Sequence, residues 1–183
     1  AADLNNRKSL NRLSFINSDI EKAQTNINSF TNDAKLAIDI KPLEFDSIAF
    51  NSPKEAANYL RSKLNDIFVS KNFTEPLVNL NSGFKLIAQP RIHDFPISND
   101  NYKILLETPS NFKIGFKSNL FTKEDNDVAN YHINCIKRID NIIVSEQKKL
   151  KDALHEKNIV SDTLSNKIDK SKEIETLKNE IKR

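Results

Sequence analysis

The feature that most constrains the fold is a long stretch, Asn126–Arg183, that contains neither glycine nor proline. Apolar residues recur along it three and four positions apart, as in a heptad repeat. At ~1.5 Å per residue, such a helix would be on the order of 85 Å long. Because its apolar seam is too narrow to form a globular core, it needs a partner helix. The predicted seam is Ile136, Ile139, Ile143, Leu150, Ala153, Val160, Leu164, Ile174 and Ile181, widened by Leu154, Ile168 and Leu177.

A second stretch of the same kind, Lys8–Ile40, supplies that partner and ends before Pro42. One arm leads into the middle of the chain and the other leads out, which favours an antiparallel coiled coil with a head inserted at its tip. The exit arm is roughly 20 residues longer, by this count of repeats, so its last turns overhang. The absence of methionine predicts either a processed product or a piece of a longer protein, and the overhang favours the piece. The entry seam is Leu10, Leu13, Ile16, Ile20, Ala23, Ile27, Phe30, Ala34 and Ala37.

Between the arms, the pattern predicts an α+β head of three to four antiparallel strands and one helix. Ser52, Pro53 and Glu55 have the spacing of a helix start, with Ser52 as the N-cap. A turn at Pro109–Asn111 separates the last two strands. The predicted domains are the entry helix at 1–41, the head at 42–124 and the exit helix at 125–183. The predicted strands are Leu43–Phe50, Gly83–Ala88, Tyr102–Glu107 and Asn111–Phe116.

The chemistry-bearing residues do not form a catalytic pattern. His93, His132 and His155 lack the spacing of metal ligands, and the lone Cys135 cannot form an internal disulfide. A chain with two glycines has no glycine-rich phosphate loop. We therefore expect no enzyme activity, no metal and no cofactor. No apolar run approaches the ~20 residues that cross a bilayer, so we expect no membrane contact and a cytoplasmic location.

The charge balance does not predict a nucleic-acid surface for the whole chain, because 28 basic and 25 acidic residues are thoroughly mixed. Individual basic residues of the head are better candidates to contact phosphates. On the exit arm, acidic neighbours such as Asp140 favour a solvated coiled-coil face. The candidate residues for contact with nucleic acid or a partner are Arg91, Lys103, Lys113 and Lys117 in the head, with Lys137 and Arg138 on the exit arm.

The order of three short motifs resembles a family of very large proteins. The motifs are Phe50–Leu60, Ser82–Leu86 and Ile136–Ile143, placed between two helical arms. The family, found in phages, plasmids and integrative elements, joins a helicase of the DEAD-like superfamily to an adenine-specific DNA methylase. The phage defence-against-restriction protein B is similar. The resemblance implies a non-catalytic accessory region C-terminal to the motor. The chain departs from the family pattern at Ala57, where a glycine is usual, and at Asp140, where a glutamate is usual.

Two functions follow as hypotheses. The first is a non-catalytic stalk-and-head module of a larger DNA-processing, antirestriction protein from a mobile element. Its predicted partners are DNA, sister domains of the same polypeptide or a separate protein. The alternative is a stand-alone coiled-coil protein that binds other proteins, either on a bacterial surface or as a phage-encoded inhibitor. Under either hypothesis, the overhanging arm would allow two copies to dimerise.

Overall fold

The computed structural model describes residues 2–90, 102–116 and 122–181. The chain divides into two compact units, one formed by Ala1–Asn28 and Ile143–Arg183 and the other by Ser29–Ile142. We call them the helical unit and the α+β unit. The latter takes in more residues on both sides than the predicted head at 42–124. In chain order, the helices and strands are α1 (Ala2–Ala37), β1 (Glu44–Phe45), β2 (Ile48–Ala49), α2 (Pro53–Ser70), β3 (Val78–Asn79), β4 (Lys85–Pro90), β5 (Tyr102–Glu107), β6 (Lys113–Ile114), α3 (Asp125–Ala129), α4 (Tyr131–Ile136) and α5 (Arg138–Ile181). All the strands belong to the α+β unit.

The helical unit contains the first part of α1 and most of α5. Arg12 forms an ion pair with Glu156, and the Asn26 side-chain amide donates to Glu146 at 3.3 Å. Because the order of the contacts along α5 is the reverse of that along α1, the two helices run antiparallel. Apolar residues of the predicted entry seam are buried here, namely Ile16, Ile20 and Ala23. The exit seam residues Ile143, Leu150, Ala153, Val160 and Leu164 are half-buried.

The α+β unit is built on a four-stranded antiparallel sheet in the order β3-β4-β5-β6. The predicted strand Tyr102–Glu107 is confirmed with the same bounds. Its two neighbours are shorter than predicted or displaced by two residues. Side chains alternate between a buried and an outer face, as the pleat requires. One row across all four strands is wholly buried: Val78, Leu86, Leu106 and Ile114.

The predicted single strand Leu43–Phe50 is wrong, because the structure has a two-stranded hairpin of β1 and β2 there. Asp46 and Ser47 form its two-residue turn with φ of 51° and 64°, the left-handed values of a type I′ turn. The Asp46 carboxylate stabilises this turn by accepting from the Asn79 backbone N–H and from the Tyr59 hydroxyl, each at 2.8 Å. These long-range contacts are invisible in the local alternation of side chains.

The predicted start of the head helix is confirmed at α2. The Ser52 hydroxyl accepts from the Glu55 backbone N–H, and Pro53 occupies the first helical position. The Glu55 carboxylate in turn accepts from the Asn51 backbone N–H at 3.1 Å. Such reciprocal bonds satisfy backbone donors that a helix start leaves unpaired. The predicted apolar stripe of this helix is buried: Ala56, Ala57, Leu60, Leu64 and Ile67.

The predicted exit helix is not continuous from residue 125. Two short helices, α3 and α4, precede α5, with breaks at Asn130 and Lys137. The break at Asn130 lets the next residue, Tyr131, turn its hydroxyl towards the sheet, where it donates to the Ile104 carbonyl and accepts from the Phe116 backbone N–H. His132 and Cys135 on α4 are buried in the same core. Residues 125–142 therefore belong to the α+β unit, and the long helix begins at Arg138.

Within the described ranges, no helix combines the length and apolar content that a bilayer crossing requires.

Candidate nucleic-acid interface

Three lysines lie on the outer face of the four-stranded sheet. Lys85 is on β4, Lys103 on β5 and Lys113 on β6, each in the alternating set opposite to the buried residues. Lys103 and Lys113 are exposed, and Lys85 is half-buried. Because regular strands direct alternate side chains to one side, the three ammonium groups share this face by the register of the sheet. It is the most basic surface that the sheet presents.

The register places two of these three lysines directly opposite a single carboxylate. Glu107 pairs with Lys85 on one side and with Lys113 on the other. Lys103 lies four residues back along β5, at ~13 Å from Glu107 for a rise of ~3.3 Å per residue. None of the three lysines is joined to a carboxylate by an ion pair within the described part of the chain. Their ammonium groups are therefore open to an anionic partner, while Glu107 offsets part of the charge of Lys85 and Lys113.

A shallow groove of about 250 Å³ runs beside this face. Lys85, Gln89 and Lys113 line it from the sheet, while Phe73 and Thr74 line it from the segment before β3. The segment has a fixed shape, because the Asn72 side-chain oxygen accepts from both the backbone N–H and the hydroxyl of Thr74. Two carboxylates, Glu75 and Glu107, line the groove as well, so its two ammonium groups are balanced by an equal number of acidic groups. The groove is thus a mixed polar surface beside the lysines of the sheet.

The two candidate residues of the exit arm are placed differently. Arg138 donates to the Gly115 carbonyl at 2.8 Å, and its guanidinium lies 4.6 Å from the centre of the Phe116 ring. It stabilises the chain that follows β6, so part of its donor capacity is already used. Lys137 is exposed at the break between α4 and α5. Neither belongs to the alternating set on the sheet.

Two further candidates, Arg91 and Lys117, lie outside the described residues. One member of the lysine group, Lys85, was missed by the sequence prediction. The signal for it was present, because Lys85 occupies the polar phase of the alternation Lys85–Leu86–Ile87–Ala88. Its pairing with Glu107 joins two residues 22 positions apart in the sequence, which alternation alone does not specify.

The titratable groups of the core have protonation states set by burial. Burial lowers the pKa of His132 to about 4, although the nearby Lys41 backbone partly offsets it. Burial likewise raises the pKa of the Cys135 thiol to about 11 and that of the Tyr131 hydroxyl well above its usual value. A neutral imidazole beside an undissociated thiol is a poor nucleophilic pair. In the ranges that the structure describes, His, Cys, Asp and Glu form no group of three or more suited to a metal ion.

Comparison of the chain with protein-family models, with curated proteins and with solved structures found no match in any of the three.

Proposed function

We propose that this chain is a non-catalytic stalk-and-head module of a larger DNA-processing protein, in which the outer face of the sheet contacts the DNA backbone. The observation that carries the proposal is the group of Lys85, Lys103 and Lys113 on one face without a carboxylate ion pair among the described residues. The order of motifs that resembles helicase–methylase proteins of mobile elements supports the setting.

The composition of this face favours phosphate contact over reading of bases. Its cations are lysines, which act as point charges, whereas base-specific contacts more often use the planar donors of arginine or asparagine. The outer residues Ile87 and Leu105 between the lysines are aliphatic, so they offer no ring on which a base would stack. We therefore expect binding that depends on salt and varies little with sequence.

The helical unit supplies the stalk of this proposal. We infer that α1 and α5 form an antiparallel coiled coil there, supported by the Arg12–Glu156 and Asn26–Glu146 contacts and by buried Ile16, Ile20 and Ala23. Such a stalk would set the distance between the DNA-binding face and the rest of a larger protein.

The experiment is a DNA-binding titration of the full chain by fluorescence anisotropy across a salt series. We expect micromolar affinity at low salt, and a decline of log K with log salt of about 0.9 per phosphate contact. The triple variant Lys85→Glu, Lys103→Glu, Lys113→Glu should lose this binding. Each substitution changes an outer-face side chain, so the buried row of the sheet stays intact.

A matched control carries the same change of charge on α5, with the exposed Lys148, Lys151 and Lys172 each replaced by glutamate. It should bind almost as tightly as the unmodified chain, because local charge on the sheet decides the interaction. Equal losses of DNA affinity in the two triple variants would show that binding depends on the net charge of the chain and not on the position of the lysines. That result, or an absence of binding at low salt, would overturn the proposed DNA contact.

A further inference from the structure

One face of α5 in the helical unit carries large apolar residues that are exposed. Ile174 and Leu177 are each 53 % exposed, and Ile181 is 84 % exposed. Their spacing of three and four residues places them on one side of the helix, and we call them the tail stripe. Ile159, 52 % exposed, lies 18 residues before Leu177, or about five full turns. The same face of α5 therefore carries exposed apolar residues at two places, at Ile159 and along the tail stripe.

A groove of about 450 Å³ lies between α1 and α5 in the same unit. Ala23 and Ala153 line it, and as the smallest side chains at seam positions they leave the space open. On a regular helix its residues Asp152 and Glu156 lie five turns before Lys170 and Ile174. The α5 wall of the groove and the tail stripe thus follow one continuous face of the helix.

The charges of these two regions are complementary. The groove is lined by four carboxylates and two ammonium groups. Lys149 pairs with Glu146, and Arg12 pairs with Glu156. Among the described residues this leaves Asp19 and Asp152 as the groove carboxylates that form no ion pair. The Lys149 contact lowers the pKa of Glu146, so this carboxylate is ionised at neutral pH. The tail stripe is flanked on its own face by three lysines and one glutamate, so the charge around it is net positive: Lys167, Lys170, Glu173 and Lys178. An acidic groove with a small-residue lining suits a basic helix with large apolar side chains.

The tail stripe cannot reach the groove of its own chain, because both lie on the continuous helix α5. We propose that the partner is a second copy, with two α5 helices packed antiparallel and the tail stripe of each in the groove of the other. This arrangement is isologous and closes at two copies. The midpoint between Glu146 in the groove and Ile181 in the stripe falls at about residue 163. The two-fold axis therefore passes near Thr163, which is exposed.

The first test is sedimentation equilibrium of the full chain over a wide concentration range. The mass should rise from 20.9 kDa for a single chain towards twice that value. Ile174→Asp should raise the dimer dissociation constant by roughly 100-fold, since the symmetry buries the new carboxylate twice. Val144→Asp is the control, because Val144 is also an exposed aliphatic residue of α5, at 63 %, but is 120° away from Ile174 on a regular helix.

A second measurement tests the direction of the pairing. In an antiparallel pair only residues near the two-fold axis meet their own copies, so oxidised Thr163→Cys should form a disulfide-linked dimer. Leu177→Cys should not, because the two stripes would lie far apart. The unmodified chain is the control, since its single cysteine, Cys135, is buried.

Two results would overturn the proposal. One is a chain that keeps the mass of a monomer at every concentration, as it would if another protein were the partner of the tail stripe. The other is an equal dissociation constant for the Ile174→Asp and Val144→Asp variants. Cross-linking through Leu177→Cys in place of Thr163→Cys would show parallel pairing and reject the antiparallel dimer. The DNA contact involves other residues, so either proposal stands if the other fails.

Discussion

The two units of this chain bury their apolar residues in different ways. The α+β unit encloses large side chains from helices and strands, with Phe45, Phe84, Leu60 and Leu64 all at 0 % exposure. In the described part of the helical unit, Ile16, Ile20 and Ala23 are the buried apolar residues. A closed core excludes water on every side, whereas a seam between two helices leaves most of its side chains partly exposed to water. The comparison indicates that most of the folding free energy resides in the α+β unit.

The buried polar groups show the same contrast. In the α+β unit, the His132 ring packs against Phe45, with ring centroids 5.1 Å apart, and is fully buried. In the helical unit, Glu146 is buried but keeps the exposed ammonium of Lys149 as a neighbour. A closed core keeps its imidazole neutral, while a seam keeps a carboxylate charged by leaving a cation within reach.

The largest expected effect tests this difference in burial directly. Leu60→Ala in the α+β unit should lower the free energy of unfolding by about 3–5 kcal/mol, because a fully enclosed side chain leaves a cavity. Leu150→Ala in the helical unit is the matched change, and for a half-buried leucine it should cost about 1 kcal/mol. Urea unfolding followed by circular dichroism measures both. A larger loss for Leu150→Ala would show that the seam is the main source of stability.

The next effect is a dependence of stability on pH through His132. The pKa of this imidazole is about 4 in the folded chain, against ~6.5 when unfolded, so protons bind the unfolded state more tightly. The contribution of the neutral imidazole to the free energy of unfolding is fully present above pH ~6.5. It is lost as the pH drops towards the pKa of the folded chain. The loss should reach about 3 kcal/mol near pH 4, at 1.36 kcal/mol per pH unit.

His132→Gln is the control for that dependence, since it removes the titrating group whatever its own effect on stability. The unfolding free energy of the unmodified chain minus that of the variant should fall by about 3 kcal/mol as the pH drops from 6.5 to 4. Carboxylates titrate in both proteins and cancel in this difference. A difference that stays constant over the range would show that His132 is protonated without cost in the folded chain.

Local sequence patterns predicted those features of the fold that depend on residues close together in the chain. The helix start at Ser52, the turn at Pro109–Asn111 and the bounds of β5 were predicted because each depends on caps, turn residues or alternation within a few positions. The sequence also named Lys103 and Lys113 as candidate contact residues of the head, and the structure places both on the outer face of the sheet. The sequence therefore predicted two of the three outer-face lysines.

Features decided by distant contacts were not predictable in the same way. The break at Asn130 has no glycine or proline to signal it, and the Tyr131 hydroxyl bond to the Ile104 carbonyl is a contact between α4 and the sheet. The turn at Asp46 depends on Asn79. Arg138 is exposed, but one N–H of its guanidinium donates to the Gly115 carbonyl, a contact that its position in the sequence does not predict. Each case joins residues more than 20 positions apart, where periodicity carries no information.

The smallest expected effect concerns the ion pair between the two helices of the helical unit. The Arg12 and Glu156 side chains are 58 % and 42 % exposed, so solvent screens their attraction and ordering two long side chains offsets much of it. Arg12→Ala should therefore change the free energy of unfolding by less than about 0.5 kcal/mol, and urea unfolding at low and high salt should give the same small difference.

Lys149→Ala is the sharper comparison, because its partner Glu146 has a side chain only 10 % exposed. Removing that cation should cost about 1–2 kcal/mol, since it leaves a buried carboxylate with less compensation. Equal destabilisation of the two variants would show that burial of the carboxylate does not govern the strength of ion pairs between α1 and α5. The charged residues along the seam would then determine how the two helices pair rather than how stable the pair is.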